Sequence, residues 1–169
     1  MKSIIAAVLV MFSFSSFAAS YDIKEDVSNP AMEDVIGDRC APGDILYYGQ
    51  NAKHTKEVLI CQWDSTVFYD FGKIGVRSAD GRLVHEMSLK ASNKQFKAEV
   101  SDGNNWSLEN MVIPNGDVVY VVGHTADFIK GTDVDQIRVY KKTNMGQPIA
   151  VIELDQNTVV NNIRNNFVE

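Results

Sequence analysis

Residues 61–75 have the sequence Cys-Gln-Trp-Asp-Ser-Thr-Val-Phe-Tyr-Asp-Phe-Gly-Lys-Ile-Gly, and they decide the fold that we predict for this chain. β-Branched and aromatic side chains dominate the stretch, Asp64-Ser65 supplies turn-forming residues, and Gly72 and Gly75 allow the chain to bend. This pattern is typical of two short β-strands joined by a tight turn. Cys61 lies in the first strand, where a disulfide can tie it to an upstream segment.

The same alternation of short apolar runs and turn residues continues along the chain. Asp80-Gly81, Asp102-Gly103 and Pro114-Asn115-Gly116-Asp117 are strong turn signals. The run from Asp117 to His124 is apolar on both faces, which indicates a central, well-covered strand. The sequence therefore predicts an all-β fold, an antiparallel meander of about 8–9 strands that forms a sandwich or a barrel. We expect the strands at 45–48, 57–63, 66–71, 82–89, 95–100, 106–113, 117–124, 134–142 and 149–154.

The ends of the chain differ from this β domain. Residues 1–18 combine Lys2, a short apolar core and small residues around Ala18, which is the pattern of a secretory signal peptide. The alternative is a buried N-terminal helix; the apolar core is too short to span a bilayer, so no membrane insertion is expected. The expected segments are a signal peptide at 1–18, an acidic arm with a short helical turn at 19–39, the β domain at 40–156, and a C-terminal helix or frayed tail at 157–169.

The chain has two cysteines, Cys40 and Cys61. In an exported protein an even number of cysteines predicts a disulfide. The loop closed between them has about 20 residues, and the bond would contribute roughly 3 kcal/mol in the chain-entropy model. A metal or redox role is disfavoured, because the spacing is not Cys-x-x-Cys and no histidines cluster beside either residue.

The charge of the chain limits the partners that it can bind. There are 16 Lys and Arg against 22 Asp and Glu, a net charge of −6, and loss of Lys2 with the signal peptide would leave −7. This acidity disfavours nucleic acid and anionic membrane surfaces as partners. It suits a cationic partner, and it is equally compatible with an ordinary surface charge that keeps the protein soluble.

The sequence carries no catalytic motif. Gly-x-Ser-x-Gly, a Cys beside a His, and a phosphate-binding glycine loop are all missing. Of the histidines His54, His85 and His124, His85 lies on an apolar face, which is more typical of a core residue than of a ligand. A metal site on His85 and His124 lacks a third ligand. We therefore predict no enzymatic activity, no metal and no cofactor.

Residues 126–133 form the loop that we predict to bind a partner, since loops on a rigid β scaffold often carry recognition. Other candidate loops are 49–56, 76–82 and 101–106. Phe128 is an aromatic residue beside charges, as interface hot spots often are, or it simply caps the core. Carboxylates in this turn are potential Ca²⁺ ligands, but the EF-hand pattern is absent and a solvated acidic turn is the better interpretation. The predicted partner-binding residues are Asp127, Phe128, Lys130, Asp133 and Asp135.

Cys40, the strand Leu59-Ile60-Cys61 and the run Phe68-Tyr69-Asp70-Phe71-Gly72 together resemble a loose group of small secreted bacterial proteins. These share a Cys, a Leu-x-Cys strand, an aromatic-x-Phe-Gly strand and a β meander, and the resemblance covers residues 40–125. In its general organisation the chain is also similar to periplasmic lysozyme inhibitors and to immunity proteins that neutralise cell-wall-degrading effectors. Lysozyme-inhibitor families often carry a Ser-Gly loop, which this chain lacks, so no functional residue is carried over.

Export, small size, acidity and the lack of a catalytic motif favour a periplasmic or secreted protein that inhibits or neutralises a protein partner. A cationic cell-wall hydrolase is the expected target. The alternative is a small-ligand-binding or envelope-structural β module with a barrel mouth near Tyr120 and His124. An open apolar cavity would favour the ligand-binding alternative, whereas a filled core with a protruding acidic loop would favour the inhibitor.

Overall fold

The computed structural model describes residues 30–76, 83–88, 97–103 and 105–164, and for 83–88 and 97–100 it gives the course of the backbone only. The predicted signal peptide, the first part of the predicted arm and the Asp80-Gly81 turn lie outside the described residues.

Within these ranges the chain forms a short helix, two 3-10 turns and ten β-strands, which confirms the predicted all-β class. Each of the nine predicted strands overlaps one of the first nine observed strands. The helix α1 spans Pro30–Ile36, and the 3-10 turns span Gly37–Cys40 and Gln156–Thr158. The strands are β1 Asp44–Gln50, β2 Lys56–Trp63, β3 Thr66–Lys73, β4 Leu83–Ser88, β5 Lys97–Asp102, β6 Trp106–Asn115, β7 Val118–Asp127, β8 Thr132–Lys141, β9 Ala150–Glu153 and β10 Val160–Asn161.

The strands form two antiparallel sheets of five strands each, with the orders β10-β1-β2-β3-β4 and β5-β6-β7-β8-β9. The predicted central strand, β7, lies in the middle of the second sheet. Apolar side chains from both sheets meet in one core, so the architecture is a sandwich. Tyr69 of the first sheet stacks on Tyr120 of the second, with ring centroids 5.3 Å apart. The buried core side chains are Leu46, Tyr47, Val58, Ile60, Val67, Tyr69, Met111, Ile113, Val122, Ile137, Leu154, Val159 and Ile163.

The outer face of the first sheet is covered by α1 and the 3-10 turn that follows it. Leu59 and Cys61 are buried there with Ile36, Cys40 and Tyr48. The predicted disulfide between Cys40 and Cys61 is present, with a Cα–Cα distance of 5.4 Å. Since both faces of this sheet are covered, alternation along β2 does not by itself distinguish the core face from the covered outer face.

That ambiguity accounts for one difference from the sequence-based expectation. The alternation in β2 predicts that Cys61 and Trp63 share an inward face. The structure buries Cys61 under α1 on the outer face, while Trp63 ends the strand and is 51% exposed. Val58 and Ile60, on the opposite face, point into the core between the sheets.

A buried ion pair joins the covering segment to the sheet. Arg39 Nη1 donates to Glu57 Oε1 over 2.6 Å, and Tyr48 Oη donates to Glu57 Oε2 over 3.0 Å. The Glu57 side chain is 1% exposed, so both contacts stabilise a carboxylate that water does not reach. Gln50 Nε2 donates to Tyr48 Oη over 2.8 Å, which extends these contacts along β1.

The C-terminal segment adds the edge strand β10 to the first sheet. β10 pairs with β1, Thr158 Oγ1 accepts a hydrogen bond from Gln50 N at 2.9 Å, and Ile163 is fully buried in the core. The sequence predicts a helix or a frayed tail from the spacing of apolar residues after 157. In the described part of this segment, residues 156–158 form a 3-10 turn and 160–161 pair with β1, while 165–169 lie outside the described residues. None of the helices in the described part of the chain is long and apolar enough to cross a membrane.

Candidate functional site

Alternate turns of an antiparallel meander lie at the same end of a sheet. The β1–β2 turn and the start of the β3–β4 connection, of which 77–82 lie outside the described residues, share one end of the first sheet. The β5–β6 and β7–β8 turns share one end of the second sheet. The bridge between Asn51 and Leu154 places the β1–β2 turn beside the end of β9. We call the surface formed by these turns the loop end, and we define it by residues 51–56, 102–103, 105–106, 127–133 and 153–157.

The β7–β8 turn at the loop end is held by its own hydrogen bonds. Asp127 Oδ1 accepts from the backbone N–H groups of Ile129 and Lys130, at 3.1 and 3.0 Å, and Lys130 Nζ lies 2.9 Å from Asp127 Oδ2. The hydrogen bond from the Lys130 side chain lowers the pKa of Asp127 and raises that of Lys130. Phe128 N donates to Asn105 O over 2.8 Å, which fastens the turn to the start of β6. The turn therefore presents Phe128, which is 47% exposed, and Ile129, which is 75% exposed, on a fixed backbone.

The five predicted partner-binding residues separate into two groups. Asp127, Phe128 and Lys130 lie at the tip of the turn, and Asp133 follows in β8 with a side chain that is 63% exposed. Asp135 lies in the interior, 6% exposed, and does not face solvent as the others do. The structure therefore brings four of the residues together on the surface and places Asp135 behind them.

Asp135 connects the two sheets through a tyrosine and a histidine. Its Oδ1 accepts from Tyr47 Oη at 2.8 Å, and its Oδ2 lies 3.2 Å from His124 Nδ1. His124 Nε2 lies 3.5 Å from Asp133 Oδ1, so the ring stands between two carboxylates. The hydrogen bond to Asp135 raises the pKa of His124, and Asp133 and Glu109 add to this effect. This environment favours the imidazolium form, in which the ring is a charged link between the two carboxylates.

A second polar cluster anchors the C-terminal segment. Arg164 Nε donates to Glu109 Oε1 over 2.8 Å, and its two Nη atoms donate to the Asp102 carboxylate over 2.8 Å each. The Arg164 guanidinium holds the pKa of Asp102 below its usual value. Asn161 Nδ2 donates to Glu109 Oε2 over 3.0 Å. No sign of this cluster is visible in the sequence, because its hydrogen bonds join residues more than 50 positions apart, as in the Arg164–Glu109 pair.

Beside the β7–β8 turn lies a shallow depression of about 340 Å³. Its lining includes four carboxylates, those of Asp133, Asp135, Glu153 and Asp155. Asp155 accepts from Asn157 N at 3.0 Å, and its Oδ2 lies 3.0 Å from His54 Nε2. These contacts, first of all the Asn157 backbone N–H, lower the pKa of Asp155. The depression suits cationic groups, and it is not an enclosed apolar cavity.

Charge is unevenly distributed over the loop end. The carboxylates of the depression belong to β8, to the last residue of β9 and to the segment after it, on the side of the second sheet. The exposed basic residues Lys53 and Lys56 lie at the β1–β2 turn, on the side of the first sheet. The loop end thus has an acidic half and a basic half.

In the described residues, no group of three or more His, Cys, Asp and Glu side chains is placed to hold a metal ion. The three carboxylates of the potential Ca²⁺ turn point to different partners: Asp127 to Lys130, Asp133 to Gln156, and Asp135 to Tyr47. His85 lies on β4 of the first sheet, whereas His124 lies on β7 of the second, and the His85 side chain is outside the described structure.

A scan against protein-family models and searches of curated proteins and of solved structures found no match for this chain.

Proposed function

We propose that this protein is exported to the periplasm and there binds and neutralises a cationic protein partner, with a basic cell-wall hydrolase as the target. Three features of the chain support export and this class of partner: the signal-peptide pattern at 1–18, the disulfide between Cys40 and Cys61, and the net charge of −6. Disulfides persist in oxidising compartments such as the periplasm.

One observation supports the proposal most directly. The acidic half of the loop end combines exposed carboxylates with a fixed turn that presents Phe128 and Ile129 to solvent. Apolar anchors surrounded by charge are a common form of protein-binding surface. Acidic side chains also steer a cationic partner toward the surface and speed association.

The ligand-binding alternative requires an open apolar cavity between the sheets. In the described residues that space is occupied by core side chains, among them Tyr47, Tyr69 and Met111, each at most 1% exposed. The depression found at the loop end is shallow and lined by carboxylates. These features favour a protein partner over a buried small molecule.

The test is inhibition of purified basic peptidoglycan hydrolases by residues 19–169. A c-type lysozyme, a g-type lysozyme and an amidase would each be assayed for clearance of a cell-wall suspension, with and without the protein, at low and high salt. We expect stoichiometric inhibition of at least one hydrolase, weakened at high salt because exposed charges are then screened. An unrelated acidic, disulfide-bonded protein of similar size controls for non-specific charge effects.

Inhibition by both proteins would show that bulk acidity alone is responsible and would contradict the proposal. Undiminished activity of all three hydrolases would exclude these targets. In that case affinity capture from periplasmic and extracellular extracts on the immobilised protein, at low and then high salt, would test whether any basic protein is bound.

A further inference from the structure

We propose that docking is confined to the second-sheet half of the loop end, and that this surface binds a basic protein with an apolar pocket flanked by Lys or Arg side chains. The inference rests on the proposed function, because it names the surface and the chemistry through which such a partner would be bound.

The apolar part of this surface is preorganised. Phe128 and Ile129 occupy a turn whose backbone is fixed by the Asp127 carboxylate and by the hydrogen bond from Phe128 N to Asn105 O. Trp106, 44% exposed, is paired with Asp127 at the same hairpin end. A turn that is already ordered loses little conformational entropy on binding, so more of the apolar contact contributes to affinity. Large side chains held outward in this way suit insertion into a pocket.

The polar part is acidic and lies directly beside the turn. Asp133 is the second residue of β8, and Gln156 Nε2 donates to its backbone and side-chain oxygens at 3.0 and 3.1 Å. These bonds join Asp133 to the segment that carries Glu153 and Asp155. Asp102 and Asp127, by contrast, are neutralised by Arg164 and Lys130. Asp133 and Asp135 share the single ring of His124, and Glu153 and Asp155 lie beside them, so this group of carboxylates keeps a net negative charge that a partner can meet. Lys or Arg groups on the partner would complement it.

The basic half of the loop end limits how far the proposed docking surface extends. Lys53 and Lys56 are exposed on the first-sheet side and would repel a cationic partner. A basic protein is consequently directed to the second sheet, where the apolar turn lies. This division predicts one docking orientation, with the partner's basic rim over β8 and the segment after β9.

The experiment measures binding of residues 19–169 to a c-type lysozyme, used as the probe, by biolayer interferometry at low and high salt. The apolar test variant is F128A/I129A. Its matched control is I149A/V151A, which removes two exposed apolar side chains, 56% and 49% exposed, from β9 and the residue before it. We expect the test variant to bind at least about tenfold more weakly, through faster dissociation. The control should stay within about twofold of the unaltered protein.

The acidic test variant is D133N/E153Q. Its matched control D64N/D117N removes two exposed carboxylates from the β2–β3 and β6–β7 turns, each at the other end of its own sheet. We expect the test variant to associate several-fold more slowly at low salt, with the difference disappearing at high salt. The control should associate nearly as fast as the unaltered protein. Thermal melting of all four variants confirms that each remains folded.

Three results would overturn the inference: no binding of the lysozyme by the unaltered protein, equal binding by F128A/I129A, or equal effects of the two acidic variants. Its failure is distinguishable from failure of the proposed function. If F128A/I129A and D133N/E153Q still inhibit the hydrolase, the proposed function stands and the proposed binding surface is wrong. If these variants abolish binding but the unaltered protein does not inhibit wall hydrolysis, the binding surface stands and the neutralising role is wrong.

Discussion

At the scale of single residues, the most consequential group is the buried Glu57 carboxylate. Arg39 and Tyr48 both bond to it, and its side chain is almost completely shielded from water. An ion pair of this kind contributes little net stability when intact, because desolvation of both charges offsets their attraction. Removal of one partner is costly, since the remaining charge is then buried without compensation.

We therefore expect Arg39→Ala to lower the free energy of unfolding by roughly 3 kcal/mol, measured by urea denaturation. The double variant R39A/E57Q is the matched control, because it removes the buried charge together with its partner. It should be less destabilised than R39A alone. Equal losses in the two variants would mean that Arg39 acts through packing on Tyr48, whose ring centroid lies 5.7 Å from the guanidinium carbon.

His124 gives the protein a pH-dependent contribution to stability. Its pKa is raised in the folded state, chiefly by the hydrogen bond to Asp135, with further contributions from Asp133 and Glu109. A raised histidine pKa contributes stability that is fully present below the ordinary value of about 6.5 and is lost as the pH rises through the folded-state value. The stability difference between the unaltered protein and His124→Gln should therefore shrink as the pH rises from about 6.5 through the raised folded-state pKa. A difference that does not change with pH would show that folding leaves the pKa of His124 unaltered.

At the scale of elements, the disulfide and the helix α1 act together. The bond fastens the 3-10 turn to β2, and α1 and this turn then bury Ile36, Tyr48 and Leu59 on the outer face of the first sheet. In the reduced chain, α1 and the 3-10 turn would have to pack on the sheet without the covalent link.

We expect Cys40→Ser to lower the free energy of unfolding by roughly 2–5 kcal/mol. Differential scanning calorimetry of this variant, and of the unaltered protein with and without reductant, measures the loss. Cys40→Ser itself should be insensitive to reductant, which controls for other effects of the reagent. An unchanged melting temperature of the unaltered protein under reduction would contradict the expectation.

The strands were predictable because their signals are local. The turn sequences Asp102-Gly103 and Asn115-Gly116 and the apolar run of β7 each specify their own element, and the structure confirms each of them. The pairing of distant groups was not predictable, since no local pattern records that Tyr47 meets Asp135 or that Arg164 meets Glu109. The same reason explains why the burial of Asp135 was not predictable. Its neighbours in the sequence form an acidic turn, and only the packing of the two sheets places its side chain in the interior.

At the scale of the whole molecule, the two sheets are joined by side-chain packing and by the C-terminal segment. That segment pairs with β1, fills the core with Ile163, and ion-pairs with the second sheet through Arg164. Disruption of the segment should therefore weaken the sandwich as a unit.

We expect Ile163→Ala to lower the free energy of unfolding by about 2–5 kcal/mol, because it leaves a cavity where a fully buried side chain was. Val151→Ala, at a position 49% exposed, is the control and should cost about 0.5 kcal/mol or less. Urea denaturation followed by fluorescence of the two tryptophans measures both variants. A loss for Ile163→Ala as small as that of the control would mean that the segment is dispensable for the sandwich.

The position of the C-terminal segment late in the sequence also affects when the first sheet can be completed during synthesis. Gln50 and its partner Thr158 are 108 residues apart, so β1 lacks its final neighbour until almost the whole chain has been synthesised. Long-range pairings of this kind form slowly and late. A nascent chain that still lacks residues 154–164 has neither β10 nor the buried Ile163, so it cannot form the complete first sheet and core. If the protein is exported as we propose, the late arrival of this segment would favour translocation before the sandwich is complete.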